Sequence, residues 1–262
     1  MTNPTNNIHI SRDGHVARVT IDKPPINAVS VDLMRDLADV LEGLDRDGVT
    51  RAVVLATAGK VFCSGADLTK RADEIGIAAK DEARGNPLYD QAVRLFSAEL
   101  PIVVAVQGAA IGAGLGLALV GDFRVAAPEA RFAANFTKLG FHPGFGLTYT
   151  LPRLVGRQHA ARMFLTGDRF DAEAALALGL VDEIAPLDQL LMRATALAGS
   201  IAENAPLAVR STRKTLRGEM AAGVRAASDH EFVEQQWLMK TDDFREGVKA
   251  VGERRVGDFR GR

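Results

Sequence analysis

A single cysteine, Cys63, is the only thiol in the 262-residue chain. No internal disulfide framework can therefore hold it, and a reducing, cytoplasmic setting is expected. Excess charge of either sign is also missing: 32 basic side chains stand against 33 acidic ones. That balance leaves no pull toward nucleic acid or an anionic membrane, and neither is an expected partner. The opening MTNPTNNIHI is polar, without the apolar core of a secretory leader. A long unbroken apolar run is lacking too. The longest candidate, residues 101–120, is interrupted by Gln107 and several glycines, so it reads as a buried strand leading into a helix rather than a membrane span. No internal repeat and no low-complexity tract is present, and the length suits one large α/β domain with an appendage or two modest domains.

What is there is an alternation of strand and helix signals. Residues 8–22 alternate apolar and polar around Asp13-Gly14, the pattern of a hairpin. KPPINAV follows as a loop, and Ser30 is placed to cap a helix whose Val31, Leu33, Met34, Leu37, Val40, Leu41 and Leu44 recur at helical spacing. TRAVVLATA reads as a buried strand, GKVFCSGADL as a glycine-bearing loop, residues 88–99 as a helix and residues 101–107 as the next strand. DFRVAAPEARFAAN carries two short strands around a turn, and GDRFDAEAALALGLVDEIAP a capped helix, a glycine stop at Gly179 and a short strand. Such alternation predicts α/β layering. From about residue 200 the strand signal ends and only helix remains. This divides the chain into a core of residues 1–199 and a helical region of residues 200–262, where FVEQQWLM and FREGVKAV offer apolar stripes for subunit contacts.

The stretch GAAIGAGLGLALVGD, which follows LPIVVAVQ, holds no charged side chain between Gly108 and Gly121. Gly112, Gly114 and Gly116 resemble part of a dinucleotide fingerprint, but the spacing is incomplete and no acidic residue follows for a ribose. Small residues could also serve only to bring helix and sheet together. A third reading starts from the free N–H groups of a helix start, which can hold an oxygen as it gains negative charge. One donor makes a poor hole. The second would come from FCSGADL, a loop at a strand end with Gly65 and Ala66 and no bulk.

VFCSGADL, PIVVAVQGAAIGAGLGLALVGDFRVAAPEARF, LPRLVGRQHAARMFLTGDRFDAEAALALGLVDEI and the ending DDFREGVKAVGERRVGDF together resemble the crotonase family, the enoyl-CoA hydratase/isomerase superfamily, over nearly the whole chain. The resemblance implies a ββα spiral core with a C-terminal helical region, assembled as a homotrimer or a hexamer of paired trimers. It implies an acyl-CoA thioester as substrate and no metal; coenzyme A enters only as part of that substrate. By register, Ala66 and Ala113 would supply the two N–H groups for the thioester oxygen, flanked by Gly112 and Gly114. Lys23, Ile26 and Ala28 lie in the loop matching the one along the pantetheine and adenine, while Ser64, Gly65, Asp67 and Leu68 form the other wall. Arg254 matches a basic residue that meets the CoA phosphate, and the family's aromatic three residues before it is Val251 here. Residues 70–86, charged and without an apolar face, are expected to be mobile and to wall the acyl pocket.

The acid–base pair of the family's hydratases is missing. The two glutamate positions are Gly116 and Phe136, and the aspartate position of isomerase-like members is Gly144, in FHPGFG. His142, in the same loop, titrates in the right range to act as a base, with a hydrogen-bonded structural role as its alternative. Asn135, Tyr149, Cys63, Asp67, Asp90, Glu99 and Asp122 are lesser candidates. The sequence therefore predicts an acyl-CoA enzyme with weak classical hydratase activity. A retro-Claisen hydrolase of a β-dicarbonyl thioester using His142, or a non-catalytic acyl-CoA binder, stand as alternatives.

Overall fold

A computed structural model describes residues 7–66 and 86–262. Asp67, Leu68 and all but the last residue of the segment 70–86 lie outside the described residues. The exception, Asn86, is buried and caps a helix.

The hairpin forms as its alternation predicts: β1 (Ile8–Asp13) runs antiparallel to β2 (Val16–Ile21). After α1 (Val31–Arg46), every further strand of the main sheet is parallel to its neighbour. These are β3 (Ala52–Thr57), β4 (Ile102–Val106), β6 (Phe123–Ala126) and β9 (Glu183–Ile184), in the order β1-β2-β3-β4-β6-β9. A second sheet contains β5 (Ala109–Ile111), β7 (Arg131–Ala133) and β8 (Arg169–Asp171), in the order β5-β7-β8. The two short strands read from DFRVAAPEARFAAN thus part company, β6 joining the main sheet and β7 the small one.

The runs of valine and alanine are continuous because the main sheet is covered on both faces. On β3, Val53 and Leu55 point into the larger core, with Leu33, Met34 and Leu37 of α1. Ala52, Val54 and Ala56 point the other way, onto α7 (Leu190–Ala202). That helix presents Leu190, Ala194, Ala198 and Ala202, four residues apart along one face, to the sheet. Ser30 caps α1 by accepting a hydrogen bond from the Leu33 N–H. α2 (Pro87–Phe96) starts at the Asn86 cap with proline in its first turn.

Short helices α3 (Ala113–Ala118), α4 (Leu147–Val155), α5 (Arg157–Thr166) and α6 (Ala172–Ala177) fill the connections. The strandless end of the chain forms α8 (Pro206–Arg217), α9 (Met220–Leu238) and α10 (Asp242–Gly252). These helices do not stand off from the core: α9 packs on α2 and α4, and α10 lies on the 3₁₀ turn of Thr137–Leu139. The mixed α/β core with a helical C-terminal region is the architecture that the strand–helix alternation predicts. No helix among the described residues is long and apolar enough to cross a membrane.

Candidate functional site

Two loops from distant parts of the chain are stitched together at the ends of β3 and β4. The Cys63 N–H donates to the Ala109 carbonyl (2.9 Å), and the Ile111 N–H donates back to the Cys63 carbonyl (3.0 Å). On the other side of the first loop, the Val29 N–H donates to Gly65 O (3.0 Å) and the Ser64 N–H to Ile26 O (3.1 Å). KPPINAV, FCSGA and the glycine turn are therefore three adjacent ribbons. The approach is close enough to dictate residue type. A Cβ on Gly65, whose φ is 85°, would lie 2.7 Å from Ile111 O and 3.5 Å from the Ala113 nitrogen, and one on Gly114 would overlap the Cys63 carbonyl.

The stitching uses up most of the local backbone donors. Gly112 gives its N–H to Ala133 O (2.9 Å) and Gly116 gives its own to Gly112 O (3.1 Å). The N–H groups of Ala66 and Ala113 have no acceptor among the described residues. Both residues line one cavity of about 420 Å³, together with Ser64, Gly65, Gly112 and Ile26. The rest of its wall is largely apolar: Leu88, Phe136, Leu139, Phe141 and Phe145, with Val248, Val251 and Gly252 contributed by α10 of the same chain. Ser64 Oγ is buried without a partner among the described residues, and Asn135, Tyr89 and Arg169 are the other polar side chains that these residues bring to the wall.

Several expected residues are brought to this cavity and others are not. Lys23 and Ala28 shape the loop rather than line it: Lys23 Nζ donates to Ala28 O (3.1 Å) and to Ser30 Oγ (2.9 Å). Gly114 is consumed by the close approach. Arg254 is exposed just beyond α10, with φ at 56°. His142 lies on a neighbouring cavity beside Trp237 and Thr241. Its Nδ1 donates to the Pro143 carbonyl (2.8 Å) and its ring sits edge-on to His230. Asp90 pairs with Arg225 (2.7 Å) and Glu99 with Arg210. Tyr149 lies under the Arg153 guanidinium, 3.3 Å from ring centre to Cζ. Asp122 accepts from Arg213 (2.8 Å), Arg217 (3.0 Å) and the Ile102 N–H (2.8 Å), a half-buried structural clasp. Cys63 is fully buried, and burial pushes its thiol up to about 11, which suits packing and not nucleophilic attack.

Three residues at or near the site were not anticipated. Asn27, buried and left-handed at φ 49°, accepts from the Lys23 N–H (2.9 Å) and donates to Ala58 O and Val61 O (both 2.8 Å), fixing the first loop. Asparagine after KPPI was a usable signal, since it tolerates this conformation better than most residues. Phe145 is also left-handed, at φ 64°, and it occupies the room a side chain at Gly116 would need: a Cβ there would be 2.6 Å from the ring. Tyr89 does the same opposite Gly144, where a Cβ would overlap its hydroxyl. The Tyr89 hydroxyl donates to Gln235 Oε1 (2.6 Å), while Gln235 Nε2 donates to the carbonyls of His142 (2.9 Å) and Pro143 (3.1 Å). Burial, and then the Glu231 carboxylate nearby, push the phenol far above its ordinary range, so it stays neutral.

A sequence profile described as enoyl-CoA hydratase/isomerase matches residues 11–262. Among curated relatives, a probable enoyl-CoA hydratase, EchA14, of Mycobacterium tuberculosis is 39% identical over 86% of this chain and 87% of its own. The short-chain-enoyl-CoA hydratase of Clostridium acetobutylicum is 32% identical over 98% of this chain and 99% of its own. A crystal structure of an enoyl-CoA hydratase/isomerase from Pseudoalteromonas atlantica superposes with a TM-score of 0.85 at 32% identity, covering 97% of this chain and all (100%) of that one.

Proposed function

The chain belongs to the enoyl-CoA hydratase/isomerase family, and from that premise we propose that it is an acyl-CoA enzyme that polarises a thioester carbonyl between the N–H groups of Ala66 and Ala113. The observation that carries this reading is the pair of N–H groups with no acceptor among the described residues, on the wall of one largely apolar cavity. A thioester oxygen placed there would accept both bonds. As negative charge moves onto that oxygen the bonds strengthen, and the apolar wall keeps competing water away. The loop of Lys23, Ile26 and Ala28, with Arg254 beyond α10, would carry the coenzyme A portion.

The same register leaves Gly116 and Phe136 where hydratases of the family carry their glutamates. Neither can move a proton, so hydration of crotonyl-CoA should run on the order of 10²–10⁴-fold below a family member that carries both glutamates. His142 bonds away from the cavity, and no observation favours the hydrolytic reading built on it.

Ala66→Pro tests the proposal, because it deletes one donor. Turnover of crotonyl-CoA should fall roughly 10²–10³-fold, while free coenzyme A, which has no thioester carbonyl, should keep its affinity by calorimetry. Normal turnover in a variant with unchanged circular dichroism and oligomer size would show that these N–H groups do not hold the carbonyl.

A further inference from the structure

Phe145 is held in a conformation that a bulky side chain avoids, and the structure around it over-determines that conformation. Its φ is 64° and its side chain is fully buried. On the C-terminal side the loop is pinned by Glu231 of α9. That carboxylate accepts from the Gly146 N–H (2.8 Å), the Thr148 N–H (2.8 Å) and the Thr148 hydroxyl (2.6 Å). On the N-terminal side, Gly144 fits under Tyr89 and Gln235 with no room for a Cβ. Glu231 and Gln235 are four residues apart on one face of α9, so one helix clamps both ends of the turn. Backbone strain of this kind persists where surrounding contacts enforce it, and it gathers at ligand clamps.

The clamp aims the ring at one place. Phe145 lines the cavity that holds the Ala66 and Ala113 N–H groups, and its Cδ1, Cγ and Cβ would lie 2.6, 3.0 and 3.1 Å from a Cβ on Gly116 of α3. Contact at the root of the ring, and not only at its far edge, means the side chain cannot swing aside without moving the clamped backbone. We propose that Phe145 is a specificity-determining residue: its ring is the end wall of the acyl chamber and confines the acyl group to short chains. This rests on the reading that the cavity takes an acyl thioester.

The test is a calorimetric series of butyryl-, hexanoyl-, octanoyl- and decanoyl-CoA against the intact protein, Phe145→Leu and Phe145→Ala. A chain that continues into an apolar chamber gains roughly fourfold in affinity per buried methylene. In the wild type the gain should stop between hexanoyl and octanoyl, and both variants should carry it further, with at least about a tenfold preference for octanoyl over hexanoyl. A wild-type affinity that keeps rising through decanoyl overturns the inference by itself, whether or not the variants fold. So does an unchanged chain-length profile in a folded variant. Failure of the wild type to bind any of the four overturns the acyl-thioester reading beneath it.

Discussion

Replacing Gly116 by alanine should destabilise the protein, and shortening Phe145 should reverse the sign of that effect. An added methyl would sit 2.6 Å from Phe145 Cδ1 and 3.1 Å from its Cβ. Ordinary carbon contacts lie near 3.5–4.0 Å, so the ring must retreat by about 1 Å while its backbone is fixed by Glu231 on one side and Gly144 on the other. Overpacking of this kind costs about 1–3 kcal/mol, and the better helix propensity of alanine returns at most about 1 kcal/mol. The net expectation for Gly116→Ala is a loss of about 1–2 kcal/mol. Phe145→Ala alone should cost about 3–5 kcal/mol through its cavity. In that background the ring is gone and, of the three nearest Phe145 atoms, only the Cβ remains, 3.1 Å away, so Gly116→Ala should become neutral or stabilising by up to about 1 kcal/mol. The coupling between the two changes is then about 1–3 kcal/mol, within the range for contacting residues. Urea unfolding followed by circular dichroism, at one fixed subunit concentration so that assembly does not shift the midpoint, measures all four corners of the cycle. Additivity within about 0.5 kcal/mol would refute the packing argument. For the same reason Gly116→Glu should add no hydratase activity unless Phe145 is shortened with it.

Cys63, fully buried with its thiol pushed up to about 11, should not react with Ellman's reagent in the native protein and should react with one equivalent in denaturant. Glu231→Ala should cost more than Glu231→Gln, because alanine strands the buried Gly146 N–H and its neighbour at Thr148, about 1–3 kcal/mol for each unpaired donor; equal midpoints in urea would contradict this. Burial pushes the Asp122 carboxyl up, but the Arg213 and Arg217 guanidiniums outweigh it and hold it below its ordinary range. Its contribution is therefore complete above an unfolded value of about 3.9 and is lost as pH falls through the lower folded value; Asp122→Asn should flatten that acid limb of the stability curve. The chain should self-associate through surfaces that include α8, where Leu207 and Leu216 are 82% and 81% exposed, and a monomer mass in light scattering at micromolar concentration would refute it.

What the sequence made legible was whatever a few neighbouring residues decide. The Ser30 cap, the two-sided apolar strands and the glycine turn each carry their own period or turn chemistry, and each formed where that chemistry placed it. The close approach of the two loops was legible for the same reason, since small residues at strand ends advertise it. The far side of the chamber was not. Tyr89 meets Gln235 across 146 positions of chain and Glu231 reaches Gly146 across 85, and no local pattern encodes either meeting. The direction of His142 turned on a single peptide: beside Pro143, its ring bonds the following carbonyl and faces the neighbouring cavity. The C-terminal stripes read as subunit contacts also serve inward, since Val248 and Val251 close the cavity of their own chain.

The glycines at 116 and 144 are therefore not vacancies left by lost acids. Each faces a side chain from elsewhere that has taken the room: the Phe145 ring at one and the Tyr89 hydroxyl at the other. The first replacement is apolar. The second is a neutral phenol whose proton is committed to Gln235, because the Gln235 amide is fixed by two carbonyls and can present only its oxygen. Neither brings a charge into the chamber at any pH where the protein stays folded. In such surroundings, where Arg169 is the one charged side chain among the described residues of the wall, an oxygen that became negative between the two N–H groups, as proposed, would be stabilised by dipoles that need no reorganisation. A glutamate beside it would supply a proton path but would also repel that charge. On the proposed reading, an aromatic wall in place of acids would trade proton transfer for a drier hold on the carbonyl. Recovering the acid chemistry would need paired changes, Gly116 with Phe145 and Gly144 with Tyr89, because restoring either carboxylate alone places it inside an occupied space.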